Sequence, residues 1–136
     1  MNHFKKFDKE LYEKNDNLAR EAAKKFFAAQ GVTAVDNPDK YGVDLLLDTG
    51  SCLEVEVKHT WKDEFKFDTL QIPARKEKFA KLGCVFMVFN SNITKAFIVH
   101  GAVVLDSPKK EVYNKYVAKG EMFFQVPVDK LILCEL

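Results

Sequence analysis

The stretch from Val43 to Lys58 leaves this chain few folds to choose from. Val43 to Asp48 is a mostly apolar run of strand length, and Thr49-Gly50-Ser51 is a hairpin turn. Cys52 to His59 is the next strand, alternating apolar and charged residues from Leu53 to Lys58. Side chains along a strand point to opposite faces in turn. Leu53, Val55 and Val57 therefore take one face, and Glu54, Glu56 and Lys58 the other, about 6.5–7 Å apart per step. A tight turn makes the two strands antiparallel neighbours.

The flanking segments supply the rest of a layered fold. Asp16 or Asn17 caps a helix from Leu18 to Gln30, with Gly31 as its stop. Leu18, Ala22, Phe26 and Ala29 share one face at helical spacing. An earlier helical turn occupies Phe4 to Lys14. Val32 to Val35 is a short strand, and Asn37-Pro38-Asp39 a turn. After a mixed stretch, Thr60 to Thr69, a helix runs from about Pro73 to Leu82 and ends at Gly83. Cys84 to Phe89 is apolar on both faces, so it is a central strand. Ser91-Asn92 turns the chain into a strand at Ala96 to Val99. Gly101 to Asp106 is a short helix or strand, Met122 to Val126 a strand, and Val128 to Leu136 a closing helix or strand. The core order is α-β-β-β-α-β-β, a mixed α/β architecture with a sheet of about five strands flanked by helices.

Length and composition narrow the function classes. A chain of 136 residues is expected to form one domain, here a core at about 16–100 and an extension at 101–136. With 47% hydrophobic and 30% charged residues, the balance is globular and not disordered. No apolar run approaches the roughly 18 residues of a membrane span. The charged start, Met1 to Glu13, is unlike a secretory signal. Cys52, Cys84 and Cys134 form no CxxC pair, so they are expected as reduced, mostly buried thiols of an intracellular protein. His3, His59 and His100 are too scattered for structural zinc. His59 is expected to pack in the core. The net charge of +1 neither demands nor forbids a nucleic-acid partner.

The chemistry points to the hairpin. Asp44 interrupts an apolar strand, where a charge is costly unless it is paired or binds a metal. Across the hairpin Asp44 and Glu56 are expected on one face, with Lys58 at the same end. A divalent cation relieves the repulsion of two carboxylates, and Mg²⁺ favours one or two of them together with water and phosphate oxygens. A lysine beside such a cation holds a water or neutralises a phosphate under attack. These parts suit metal-assisted phosphodiester hydrolysis. Glu-x-Lys alone carries little weight, because Glu64-Phe65-Lys66 is a second instance. The plain alternative is a solvated strand face with cross-strand ion pairs.

Gly42-Val43-Asp44-Leu45-Leu46 followed by Leu53-Glu54-Val55-Glu56-Val57-Lys58 resembles the core of the PD-(D/E)xK nuclease superfamily, closest to the archaeal type of Holliday-junction resolvase. The likeness spans roughly residues 16–100, with Val43 in place of the proline of the family's name. It implies a restriction-endonuclease-like fold and Mg²⁺- or Mn²⁺-dependent cleavage of branched or duplex DNA. It makes Asp44, Glu56 and the Val57 carbonyl the metal ligands and Lys58 the catalytic lysine. It adds an acid on the first helix, with Glu21 first and Asp16 or Asn17 in reserve, although Glu21 is equally an exposed partner of Lys25. Glu54 is a supporting acid or an exposed one. Gln71, at the start of the second helix, approaches the scissile phosphate or merely caps the helix. Arg75 and Lys76, with Lys62 and Lys66, make a phosphate-contacting stripe or a solvated face. Trp61 and Phe65 stack on a splayed base or simply pack. By analogy with the family, a homodimer offers two sites for two strands. The rival readings are a catalytically silent nucleic-acid- or protein-binding module on the same fold, and a structural α/β protein.

Overall fold

A computed structural model describes residues 9–113 and 120–136, with side chains described from Asp16 onward. The helix α1 (Lys9–Ala29) is followed by strands β1 (Ala34–Asp36), β2 (Leu45–Leu47), β3 (Cys52–Lys58) and β4 (Thr69–Pro73). A single 3-10 turn, Ala74–Lys76, leads into the short helix α2 (Glu77–Lys81). Then come β5 (Val85–Asn90), β6 (Lys95–His100), α3 (Gly101–Leu105), β7 (Lys109–Val112), β8 (Glu121–Pro127) and β9 (Ile132–Glu135).

The strands form a six-stranded sheet, β1-β2-β3-β5-β6-β9, and a three-stranded sheet, β4-β8-β7. In the large sheet β3 and β5 run parallel and the other pairs antiparallel. The architecture is therefore mixed α/β. An extra strand, β4, falls between β3 and α2, and β9 joins the large sheet as its sixth strand. The chain beyond Gly101 is built into both sheets, since β8 pairs with β4 and β9 with β6.

Two apolar cores lie on the two faces of the large sheet. Ala19 and Ala23 of α1 pack with Leu45, Leu53, Val55, Met87 and Phe89 on one face. On the other, Phe86, Val88, Phe97 and Val99 pack with Leu70 and Ile72 of β4, Ala80 of α2, Val104 of α3, and Phe124 and Val126 of β8. This layering fixes the hairpin register, because a one-residue slip in β3 would exchange Leu53 and Val55 with Glu54 and Glu56.

Several expectations change. Asp16 and Asn17 do not cap α1, which runs unbroken from Lys9; they lie inside it, both hydrogen-bonded to Arg20. The part of the earlier turn before Lys9 lies outside the described residues. The buried face of α1 is turned by one residue from the expected one: Ala19 and Ala23 are fully buried and Leu18 is exposed. Small side chains there let the helix approach the sheet. Gly31, with φ of 80°, does end the helix region. His59 is exposed, because β3 ends at Lys58 and the chain turns away.

The cysteine reading is also corrected. Cys52 and Cys84 form a disulfide, while Cys134 is free. Parallel pairing aligns Leu53 with Val85, which brings the residue before each of them together at a Cα–Cα distance of 4.7 Å. That is within bridging range. Spacing along the chain carries no trace of this contact. Among the described residues no helix is long and apolar enough to cross a membrane.

Candidate active site

Strand β3 supplies the charged row. Its register sets Glu54 beside Phe86, Glu56 beside Val88 and Lys58 beside Asn90. The row thus runs along a buried column of β5, on the face opposite α1.

Glu54 is only 4% exposed. Its Oε2 accepts a hydrogen bond from the Asp44 N–H at 2.8 Å. Asp44, one residue before β2, reciprocates: its Oδ2 accepts from the Val55 N–H at 2.8 Å. Each carboxylate is therefore locked to the other strand's backbone. Glu54 Oε1 lies 3.3 Å from Lys76 Nζ. Burial drives the Glu54 carboxyl up, Lys76 opposes this and Asp44 adds to it, leaving it raised to about 7.

Glu56 lies two residues further along. Its Oε1 is 3.2 Å from Lys58 Nζ, and its Oε2 is buried with no hydrogen-bond partner. Burial pushes this carboxyl up, but Lys58, Lys76 and Arg75 outweigh it and hold the group below the usual carboxylate range. Lys76 is the common neighbour of these acids. Burial disfavours its charge, yet Glu56, Glu54 and Asp44 together hold its ammonium above the ordinary lysine value. Asp16 of α1 borders the same cluster. Burial raises its carboxyl, Arg20 lowers it and Asp44 raises it further.

The structure thus gathers Asp44, Glu54, Glu56, Lys58 and Lys76, with Asp16 at the margin. The partner that meets Asp44 across the hairpin is Glu54, whereas Glu56 was the expected one. Counting from the turn reveals this: Leu46 faces Cys52 and Leu45 faces Leu53, so the next pair is Asp44 and Glu54.

Other expected site residues fall elsewhere. Glu21 has a side chain 65% exposed and pairs with Lys24 at 3.0 Å. The rotation of α1 that buries Ala19 and Ala23 turns Glu21 outward, and Asp16 is the helix acid that meets the cluster. Gln71 belongs to β4, opposite Gln125 of β8, and neither starts nor caps a helix. It does line a cavity of about 150 Å³ that Lys58 also lines. Lys76 is no surface contact: its side chain is 11% exposed and its charge is spent on the acids. Arg75 is exposed, 3.5 Å from Glu121. Lys62 and Lys66 are exposed and line a second cavity of about 450 Å³. Val57 stands between Glu56 and Lys58, its side chain packed on the α1 side. Trp61 is buried and stacked on Phe97, so it packs.

The donor set fits a hard cation such as Mg²⁺ or Mn²⁺. The carboxylate oxygens of Asp44 and Glu56 are of the right class, and the orphaned Glu56 Oε2 is an anionic oxygen that a cation would satisfy. Among the described residues no group of three or more His, Cys, Asp or Glu converges as a metal cage. The fit is to an open site completed by water and phosphate oxygens, which is the mode Mg²⁺ prefers.

Compared with protein-family models and with curated proteins, the chain matches none.

Proposed function

We propose that this protein is a metal-dependent DNA endonuclease with a restriction-endonuclease-like fold, hydrolysing phosphodiester bonds of branched or duplex DNA. The observation that carries the reading is Glu56: one oxygen is paired with Lys58 and the other is buried without a partner, in a basin that also holds Asp44, Glu54 and Lys76. Buried polar atoms are rarely left unsatisfied, and a bound cation or an ordered water would complete this one.

Asp44 and Glu56 would hold Mg²⁺ or Mn²⁺, with the Val57 carbonyl as a third donor. A bound divalent cation supplies charge stabilisation at the phosphate and acidifies water. Lys58 then has a role of its own. Its ammonium, 3.2 Å from Glu56 Oε1, would orient the attacking water and offset charge growing on the phosphate. Glu54 holds the Asp44 backbone in place, so it positions a ligand. Asp16 contributes negative charge from α1. Lys62 and Lys66 are free to meet phosphates, as is the exposed Arg75 once it leaves Glu121. The reading includes a homodimer with one site for each strand.

One feature favours the rival, a silent binding module: Lys76 already neutralises the acids without metal. Thermal melting separates the two. For a nuclease, Mg²⁺ or Mn²⁺ raises the melting temperature by mass action, and Asp44→Ala abolishes the increase. A melting temperature indifferent to both ions in the wild-type chain would contradict the proposal.

A further inference from the structure

The cavity of about 150 Å³ next to Lys58 is not explained by hydrolysis alone. Its walls are Lys58, Thr60, Phe65, Phe67, Leu70 and Gln71, together with Thr69. Phe65 and Phe67 meet edge to face, with centroids 5.5 Å apart. Phe65 is anchored inward on Trp61 and Phe97, at 5.4 Å and 5.1 Å. Phe67 meets Phe65 and remains 62% exposed. A large aromatic ring held against a second ring and open to solvent offers a face for stacking.

The polar side of the cavity points the same way. The Thr69 hydroxyl donates to Gln125 Oε1 at 2.9 Å, and Gln125 Nε2 is left buried with no hydrogen-bond partner. Gln125 stands opposite Gln71 in the β4–β8 pairing. Among the described residues only two buried side-chain atoms lack partners, this amide nitrogen and Glu56 Oε2. One adjoins the proposed reaction centre and the other adjoins residues of the cavity beside it. The cavity therefore combines an aromatic wall with amide and hydroxyl groups, and Lys58, paired with Glu56, joins it to the candidate active site. Phe65 and Phe67 also border the larger cavity, whose rim carries Lys62 and Lys66 alongside the acids Asp63 and Glu64, with Asp63 paired to Lys95 at 2.9 Å.

We propose that this cavity receives one unstacked nucleobase from the nucleic-acid strand bound at the candidate active site, with Phe67 as the stacking platform and Gln71 reading the base edge. The proposal rests on the nuclease reading and adds to it a specificity: unpaired bases next to the cut. Single-stranded or bulged positions are recognised in this manner, by stacking on aromatic rings and by hydrogen bonds to the exposed base edge. A fully paired duplex must first lose a stacked base, which weakens it as a ligand.

The test uses the full chain and DNA carrying 2-aminopurine, either in a one-base bulge or fully paired. Fluorescence titration gives the affinity for each, and a cleavage assay with Mn²⁺ runs beside it. Wild type is expected to prefer the bulged DNA, Phe67→Ala to lose about tenfold of that affinity, and Phe67→Trp to retain it. Affinity for the paired duplex should change little. If wild type binds and cuts DNA but Phe67→Ala keeps the bulge preference, the base cavity is refuted and the nuclease reading stands. If wild type cuts DNA without any bulge preference, the base cavity is refuted likewise. If wild type neither binds nor cuts either DNA, both fall together.

Discussion

Single residues set the electrostatics of the candidate site, and Glu54 gives the sharpest expectation. Its carboxyl is raised from the ordinary 4.5 to about 7, chiefly by burial. A raised carboxyl binds its proton more tightly in the folded than in the unfolded chain. Its stabilising contribution is full below about pH 4.5 and is lost as the pH climbs to about 7. Urea unfolding at pH 5 and pH 8 should show roughly 1–3 kcal/mol lost from this group, and Glu54→Gln should shrink that loss. An equal loss in both proteins contradicts the assignment. Glu56 has the opposite sign: held below its usual value, it stabilises at neutral pH and ceases to do so in acid. Lys76→Met strips the acids of their shared ammonium. It should destabilise the metal-free protein by about 3–5 kcal/mol, and Mg²⁺ should recover part of that in a melting assay. Unchanged stability would show that Lys76 is not the counter-ion. The alternation from Leu53 to Lys58 made the charged row legible from sequence, because strand geometry alone decides it. The burial of Lys76 was not legible. A lysine in a basic run reads as solvated until the fold shows three acids beneath it.

At the scale of elements, local patterns were readable and long-range pairings were not. The β2–β3 hairpin, the end of α1 at Gly31 and the central β5 follow from neighbouring residues. Strand β4 is hidden in the sequence because Pro73 suits a first helical turn; its partner β8 lies some fifty residues on, so nothing nearby marks Gln71 as extended. The same blindness hid the Cys52–Cys84 bond, which exists only because β3 and β5 lie parallel. Closing a loop of this length stabilises by about 3–4 kcal/mol in the chain-entropy account. Cys52→Ala with Cys84→Ala should lower the urea midpoint accordingly, and an unaltered midpoint would show that the bridge is not formed in solution. The start of α3 gives a second check. A Cβ on Gly101 would lie 2.6 Å from the Ala80 carbonyl oxygen and 2.9 Å from that of Cys84. Both are backbone atoms that cannot swing aside. Gly101→Ala should therefore cost about 1–3 kcal/mol. Equal stabilities of Gly101→Ala and wild type would contradict this packing of α3 on α2.

For the whole molecule, the large sheet separates structure from chemistry. One face is sealed by α1, while the other carries the acids at the margin of the second core. With a net charge of +1, any affinity for DNA must come from local placement of exposed cations such as Lys62, Lys66 and Arg75. That affinity should fall steeply with salt. Cutting both strands with one site each requires two copies, so sedimentation should give twice 15.6 kDa at cutting concentrations, and a monomer there would refute the dimer. The most direct measurement of the central claim is incubation of the full chain with branched and linear DNAs and Mn²⁺, alongside EDTA and the Asp44→Asn and Lys58→Ala variants. We predict cleavage by wild type that stops with EDTA and falls at least a hundredfold in either variant. Intact DNA in every wild-type lane, with Mg²⁺ as well as Mn²⁺, would contradict it.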